Sequence, residues 1–222
     1  MAGALSAAGV RAGLAAARER ADAAARRAGR DPAAVEILVA VKYVAAAELE
    51  TLADAGVTLV GENRAQDLLE KVGHARGRLR WHFIGALQSR KVRLIVPHVE
   101  LIHSVASDSA LRELGRHAPP GFEVLVEVNV AGEPGKAGIA PAELDAFLAR
   151  SPVRVGGLMT MPPETADPQA SRPHFAALAR LARERGLERL SMGTSQDFEV
   201  AVEEGATIVR IGTMVLGRAA VR

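Results

Sequence analysis

Along the chain, short apolar runs of strand length alternate with stretches in which apolar residues recur every three or four positions. A run of four to eight apolar residues is typical of a buried strand, and the longer period is typical of an amphipathic helix. The pattern predicts strands at residues 36–42, 58–61, 81–85, 101–105, 123–130, 153–159, 190–192 and 207–211.

A stretch with helical spacing follows each predicted strand. The predicted helices span residues 45–55, 64–72, 88–96, 108–117, 141–150, 172–185 and 197–204, with a last turn or helix to 217. An additional amphipathic helix precedes the first strand and extends to about Arg30. This segment is a poor signal or transit peptide, because Arg11 interrupts its apolar part and Glu19 and Asp22 are acidic. We therefore expect a cytoplasmic protein.

The predicted elements form eight successive βα units, whose strands can close into a barrel. Alternating strands and helices imply a parallel sheet, and eight such units can form a (β/α)₈ barrel. The alternative is an open doubly wound sheet, but the first βα turn, residues 42–47, has no glycine and so lacks a dinucleotide-binding fingerprint. We predict an α/β fold: a single compact (β/α)₈ TIM barrel domain over residues 1–222 with an extra N-terminal helix.

Composition excludes several classes of protein. The absence of cysteine rules out disulfides, thiol nucleophiles and thiolate metal ligands, and the six histidines show no paired metal spacing. We predict no metal site. The apolar runs are far shorter than the roughly 18 residues of a membrane helix, so no membrane partner is expected. Aromatic residues make up 3% of the chain and arginines alternate with acids, so we expect no nucleic-acid partner.

The cations are unevenly divided. The 28 basic residues comprise 24 arginines and four lysines, which are Lys42, Lys71, Lys91 and Lys136. The first of these ends a predicted buried strand, whereas the other three fall in predicted helices or loops. Loss of hydration favours the neutral amine of a buried lysine, which is a nucleophile for carbonyl groups. The alternative is a strand-end lysine whose ammonium group reaches solvent.

Small and hydroxyl-bearing residues follow the last two predicted strands. They are Ser191 to Ser195 after the seventh strand and Ile211 to Thr213 after the eighth. In (β/α)₈ barrels the site lies at the carboxyl ends of the strands, and these two loops commonly bind phosphate. We predict a phosphate site there. Alternatively, Thr194 or Ser195 caps the following helix.

Two further polar residues lie within apolar strands. Arg210 lies between Val209 and Ile211, so it is predicted to point into the barrel. It either donates to a cofactor ring nitrogen or a substrate anion, or forms an interior salt bridge with Glu62. His82 is flanked by aromatic residues on the opposite face, and a strand histidine of this kind is typically an interior residue rather than a catalyst.

Several sequence blocks resemble one known family. The chain is similar to the pyridoxal phosphate homeostasis proteins, called YggS in bacteria and PROSC in animals. The matching blocks occur in family order and cover nearly the whole chain. They are LVAVK at 38–42, GEN at 61–63, WHFIG at 81–85, LQS at 87–89, VNV at 128–130, GLM at 157–159, SMG at 191–193 and VRIGT at 209–213.

The resemblance implies a barrel like the N-terminal domain of alanine racemase, with pyridoxal 5′-phosphate (PLP) bound covalently to Lys42 as an internal aldimine. It implies that Arg210 faces the pyridine nitrogen and that Asn63 and His82 line the pocket near the ring. The remaining cofactor-binding positions that it implies are Met192, Gly193, Ser195, Gly212 and Thr213, the last four around the phosphate. Tyr43 departs from the family pattern, and its role beside the lysine stays open.

The same resemblance suggests binding without turnover. Catalysis with PLP needs the ring as an electron sink and a second acid or base, and an arginine at the ring nitrogen weakens that sink. A racemase takes a tyrosine from a second domain, whereas the single tyrosine here is Tyr43 and five residues follow Gly217. We therefore expect no catalytic residue, a monomer, and a carrier and buffer in PLP homeostasis.

Three matters stay open. The recipients of PLP, if any receive it by direct contact, would be PLP-dependent apo-enzymes. One alternative function is a PLP-dependent amino-acid racemase, in which Tyr43 or His82 is the second base. The other is a cofactor-free Schiff-base aldolase acting on a phosphosugar with the same lysine.

Overall fold

Eight parallel strands form a closed barrel in the computed structural model, which describes residues 5–75 and 77–217. Each strand pairs with the next along the chain, and the last pairs with the first, with Leu38 opposite Arg210. The strands are β1 Glu36–Ala40, β2 Leu59–Glu62, β3 Arg80–Phe83, β4 Leu101–Val105, β5 Glu123–Glu127, β6 Arg154–Met159, β7 Arg189–Thr194 and β8 Ile208–Ile211. The predicted (β/α)₈ TIM barrel is confirmed, and the open sheet is excluded.

Helices follow the strands and surround the barrel. They are α1 Ala7–Arg27, α2 Leu49–Asp54, α3 Ala65–Lys71, α4 Val92–Ile95, α5 Asp108–His117, α6 Leu144–Ala149, α7 Arg172–Arg183, α8 Phe198–Glu203 and α9 Thr213–Leu216. Several begin with a 3₁₀ turn, and α4 lies between two of them, at Ser89–Lys91 and Val96–His98. Within the described residues, no helix is both long and apolar enough to cross a bilayer.

The additional N-terminal helix packs along the outside of the barrel. Ser6 caps it by accepting a hydrogen bond from the Gly9 backbone N–H, as an N-cap residue should. Its buried side consists largely of alanines, which lets α1 lie close to α8 and α9. At Gly13 a Cβ atom would lie 2.7 Å from the Met214 carbonyl oxygen, so a larger residue would separate α1 from α9.

Alternate strand residues form two apolar layers. One layer lies between the strands and the helices, and Val124 and Val126 belong to it. The other fills the barrel interior, and it consists of Leu38, Leu59, Leu101, Leu125, Met159 and Ile208. This division follows from the period of two along a strand. Val124 and Val126 therefore face away from Leu125.

The bounds of several strands differ from the predictions by one to three residues. β1 ends at Ala40 and β5 at Glu127, each before the end of its apolar run, whereas β7 extends from Arg189 to Thr194. After β1 the Val41 backbone N–H still donates to the Gly61 carbonyl oxygen at 2.9 Å. The chain then turns, so the lysine that follows lies outside the sheet.

Candidate functional site

Lys42 lies in the turn after β1, at the carboxyl-terminal mouth of the barrel. Its side chain is exposed, and its Nζ lies 4.7 Å from the centroid of the Tyr43 ring. The expectation that this lysine ends a buried strand is wrong, because the chain leaves the sheet two residues earlier. The alternative of a lysine that reaches solvent is the one observed.

The buried lysine of this region is Lys71, on the inward side of α3. Its Nζ donates to Glu62 Oε2 at 2.5 Å and to the Val41 carbonyl oxygen at 2.8 Å. Glu62 Oε1 in turn accepts from the backbone N–H groups of Asn63 and Arg64 at 2.6 and 3.1 Å. The pair therefore connects the loop after β1 with the loop after β2. Its sequence signal is the spacing of Lys71 from buried Leu68, which places both on one helix face.

Asn63 follows β2 and presents an unused acceptor. Its Oδ1 is buried and has no hydrogen-bond partner among the described residues. A Cβ atom at Gly85 would collide with the Asn63 backbone oxygen, so glycine at this position lets the chain after β3 approach closely. A buried polar atom without a partner is costly and is typically satisfied by a ligand or water.

The loops after β7 and β8 meet at the same mouth. The Gly212 backbone N–H donates to Ser195 Oγ at 3.2 Å. Gly193 has φ +88, a region that favours glycine. Asp197 Oδ1 accepts from the Thr194 N–H at 2.7 Å and from its hydroxyl at 3.1 Å, so this carboxylate rather than a hydroxyl organises the turn before α8. The predicted alternative, that Thr194 or Ser195 caps α8, is wrong.

Thr213 begins α9 directly after Gly212. The first-turn N–H groups of a helix have no partners within the helix, and the Thr213 side chain is exposed beside them. A Cβ atom at Gly212 would lie 3.5 Å from the Ala40 carbonyl oxygen, so this loop adjoins the end of β1. The structure thus brings Gly193, Ser195, Gly212 and Thr213 to the edge from which Lys42 extends.

Met192 does not reach this edge through its side chain. It is fully buried in the layer between the strands and the helices. The pleat of β7 turns it away from the barrel interior, because successive strand residues face opposite sides. Any contribution of Met192 to a ligand is restricted to its backbone.

Arg210 points into the barrel, as predicted, but it has no salt bridge with Glu62. Its guanidinium donates to Ser191 Oγ at 2.5 Å, to the Thr160 carbonyl oxygen at 3.0 Å and to Met161 Sδ at 2.8 Å. Burial lowers its pKa to about 10, while nearby Glu127 and Asp197 act in the opposite direction. Arg210 therefore stays a cation at neutral pH.

His82 is not brought to the mouth. It is buried, with its Nδ1 3.0 Å from His103 Nε2, and it lines a cavity with Glu36, Arg80 and Glu123 at the amino-terminal ends of the strands. Burial, together with the positive charges of Arg80 and another arginine, lowers the pKa of His82 to about 3. The expectation that it lines a pocket with Lys42 does not agree with this position, and the interior alternative does.

Fold and site together define a (β/α)₈ barrel that presents a lysine amine and a cluster of hydroxyl and backbone N–H groups at one mouth. No protein-family model matches the chain. The chain is 41% identical over 213 residues to the pyridoxal phosphate homeostasis protein of Aquifex aeolicus, covering 90% of this chain and 93% of the relative. It is 42% identical over 204 residues to that of Pseudomonas aeruginosa, covering 87% and 89%. The chain belongs to the pyridoxal phosphate homeostasis protein family.

A solved structure agrees with this assignment. PipY of Synechococcus elongatus, determined with PLP bound, superposes with a TM-score of 0.77 at 30% sequence identity. The match covers 94% of this chain and 100% of PipY.

Proposed function

We propose that this chain binds PLP at the carboxyl-terminal mouth and acts as a reversible carrier and buffer of PLP inside the cell. The observation that carries the proposal is the convergence of exposed Lys42 with the loops after β7 and β8, which the Gly212–Ser195 hydrogen bond holds together. The names of the relatives and the PLP bound in PipY support the choice of ligand.

The residues at the mouth fit the charges and polar atoms of PLP. Backbone N–H groups and two hydroxyls suit a phosphate, and the unused Oδ1 of Asn63 suits a donor on the ligand. The carboxylate of Asp197 lies near the loops after β7 and β8. Asp197 already accepts from Thr194, and its Oδ2 accepts from Ser171 at 2.9 Å. Its role there is to hold the loop.

We propose Lys42 as the covalent attachment point. PLP supplies an aldehyde that bonds reversibly to amines and a ring that can accept electrons. The Lys42 amine would attack that aldehyde with loss of water, and its exposed position leaves the bond accessible to incoming amines. Arg210, a buried cation, would lie at the ring nitrogen and disfavour a proton there. This arrangement suits holding and releasing the cofactor better than catalysis.

The test is a titration of the purified protein with PLP. We expect a visible absorption band and, after borohydride reduction, a mass increase on the peptide that contains Lys42. Lys42→Ala removes both, whereas the matched control Lys91→Ala keeps both. A wild-type protein that forms no band, or a reduced adduct that persists in Lys42→Ala, would overturn the proposal.

PLP-dependent apo-enzymes are the proposed recipients, and the proposal includes a monomer in the cytoplasm. Direct transfer predicts that the loaded protein reactivates an apo-enzyme faster than an equal amount of free PLP does. Equal rates would indicate release into solution instead. Sedimentation of the purified chain tests the monomer, and cell fractionation tests the location.

One observation favours racemization as a second candidate. The Tyr43 ring lies against the Lys42 amine, so a second acid or base is near the attachment point. His82 is unsuited to that role because it lies inside the barrel. Incubation of the loaded protein with L-alanine and chiral analysis decides: D-alanine that disappears in Tyr43→Phe supports the racemase, and no D-alanine supports the carrier.

A further inference from the structure

A row of buried hydrogen bonds extends from Arg210 through the barrel interior. Arg210 Nη1 lies 2.5 Å from Ser191 Oγ, Ser191 Oγ lies 2.8 Å from His103 Nδ1, and His103 Nε2 lies 3.0 Å from His82 Nδ1. All four side chains are buried. The row connects the mouth with the cavity at the amino-terminal end of the barrel, where His82 is a lining residue.

Chemistry fixes the direction of the first bond in this row, and the tautomers of the two histidines set the directions of the others. A guanidinium only donates, so Ser191 Oγ accepts from Arg210. Within the row, the acceptor for the Ser191 hydroxyl proton is His103 Nδ1, and this is the arrangement that we assign. His103 is neutral because burial lowers its pKa well below 6.5, so its proton is on Nε2 and is donated to His82 Nδ1. The proton of neutral His82 is then on Nε2.

The assigned direction gives the Ser191 hydroxyl proton an acceptor. In the opposite direction Ser191 Oγ would accept from both Arg210 and His103, and its own proton would have no acceptor within the row. The effect of the row is to keep a lone pair of Ser191 directed at the guanidinium. With the Thr160 carbonyl oxygen, at 3.0 Å from Nη2, it gives Arg210 two fixed acceptors.

From this geometry we infer that Ser191, His103 and His82 are positioning residues that hold Arg210 against the ring of bound PLP. The inference rests on the proposed function for the identity of the ring. It gives His82 a part in the site without contact to the ligand, acting through His103 and Ser191.

The tautomers provide a test that needs no cofactor. Nitrogen-15 spectra of the cofactor-free protein should show the proton on Nε2 of both His82 and His103. Neither ring should titrate between about pH 5 and about pH 8, since both stay neutral when buried. A proton on Nδ1 of His103, or titration of either ring in this range, would overturn the inference.

A matched pair of variants tests the effect on PLP. Ser191→Ala removes a hydrogen bond to a charged group, so the dissociation constant for PLP should rise by about tenfold, with a shifted absorption maximum. Ser104→Ala removes an equally buried hydroxyl that donates to the Gly85 carbonyl oxygen, and it should bind as the wild type does. Wild-type affinity and spectrum in Ser191→Ala would overturn the inference.

Two substitutions of His103 test whether a side chain that keeps both hydrogen bonds also keeps the absorption spectrum of bound PLP. Glutamine can accept from Ser191 and donate to His82, so His103→Gln should keep the wild-type spectrum, whereas His103→Leu should shift it as Ser191→Ala does. Identical spectra in these two variants would contradict the positioning role. A wild-type protein that binds no PLP overturns the proposed function, and the tautomers still decide how Arg210 is held.

Discussion

The free energy of unfolding should fall as the pH is lowered from about 7 to about 5, because the barrel encloses two neutral histidines. Burial, and then the charges of Arg80 and Arg189, lowers the pKa of His82 from 6.5 to about 3. Burial and neighbouring positive charge lower that of His103 as well. In the unfolded chain both imidazoles take up protons near pH 6.5, whereas the folded chain excludes them. Acid therefore stabilises the unfolded state.

The size of the effect follows from the two pKa values of His82. Its folded pKa is about 3 and its unfolded value 6.5. At about pH 5 the unfolded imidazole is charged, about 1.5 pH units below its pKa, and each unit is worth about 1.4 kcal/mol. His82 therefore contributes a loss of about 2 kcal/mol between about pH 7 and about pH 5. His103 adds a loss of the same sign. Glu127 has the opposite sign, because burial raises its pKa.

Urea unfolding followed by circular dichroism at the two pH values measures this loss. His82→Gln should reduce the difference between the two pH values by about 2 kcal/mol, since the substitution's own cost is common to both. His98→Gln, at an exposed histidine, should keep the full difference. An unchanged urea midpoint in the wild-type protein, or an unchanged difference in His82→Gln, would refute the account of a neutral buried pair.

Two further predictions concern the loops of the mouth. Gly193→Ala places a Cβ atom 2.5 Å from that of Ala201. The control is Gly56→Ala, whose Cβ atom meets nothing within 4 Å, so it has only the backbone cost of about 1–2 kcal/mol. In thermal melts Gly193→Ala should therefore destabilise the protein more than Gly56→Ala does. Equal losses of stability in the two variants would show that the loop after β7 can shift to make room for the added Cβ atom. Lys71→Met leaves Glu62 charged, buried and unpaired, a cost of about 3–5 kcal/mol by urea unfolding. Adding Glu62→Gln should recover part of this loss, and no recovery would contradict the explanation.

The barrel itself could be predicted from the sequence because its strands are buried on both faces. Such strands appear as continuous apolar runs, and β4 and α5 have the predicted bounds. The end of β1 was misplaced for a physical reason. Val41 lies beyond the end of β1 but is fully buried and still donates to the Gly61 carbonyl oxygen, so the apolar run continues to the residue before Lys42.

The meeting of the loops after β7 and β8 could be predicted from the sequence, because both follow strand ends and a closed barrel brings those ends to one mouth. Phosphate binding by these loops stays a prediction. The buried polar contacts were not recognisable, since they join residues distant in sequence. His103 and Ser191 are 88 positions apart, and only the closure of the barrel places them within 2.8 Å. Local patterns contain no information about such pairs.

The sequence suggested a single buried lysine at the mouth, Lys42, but the structure has an exposed Lys42 and a buried Lys71. A buried ammonium is stable only when it is paired, and Lys71 meets that condition with Glu62 and the Val41 carbonyl oxygen. A lysine held in this way cannot reach an aldehyde without breaking both contacts. Lys42 is exposed and follows directly after Val41, so the buried pair holds the backbone from which the Lys42 side chain extends. Under the proposed function, the choice of Lys42 over Lys71 depends on the position of its amine beside the loops after β7 and β8, rather than on burial.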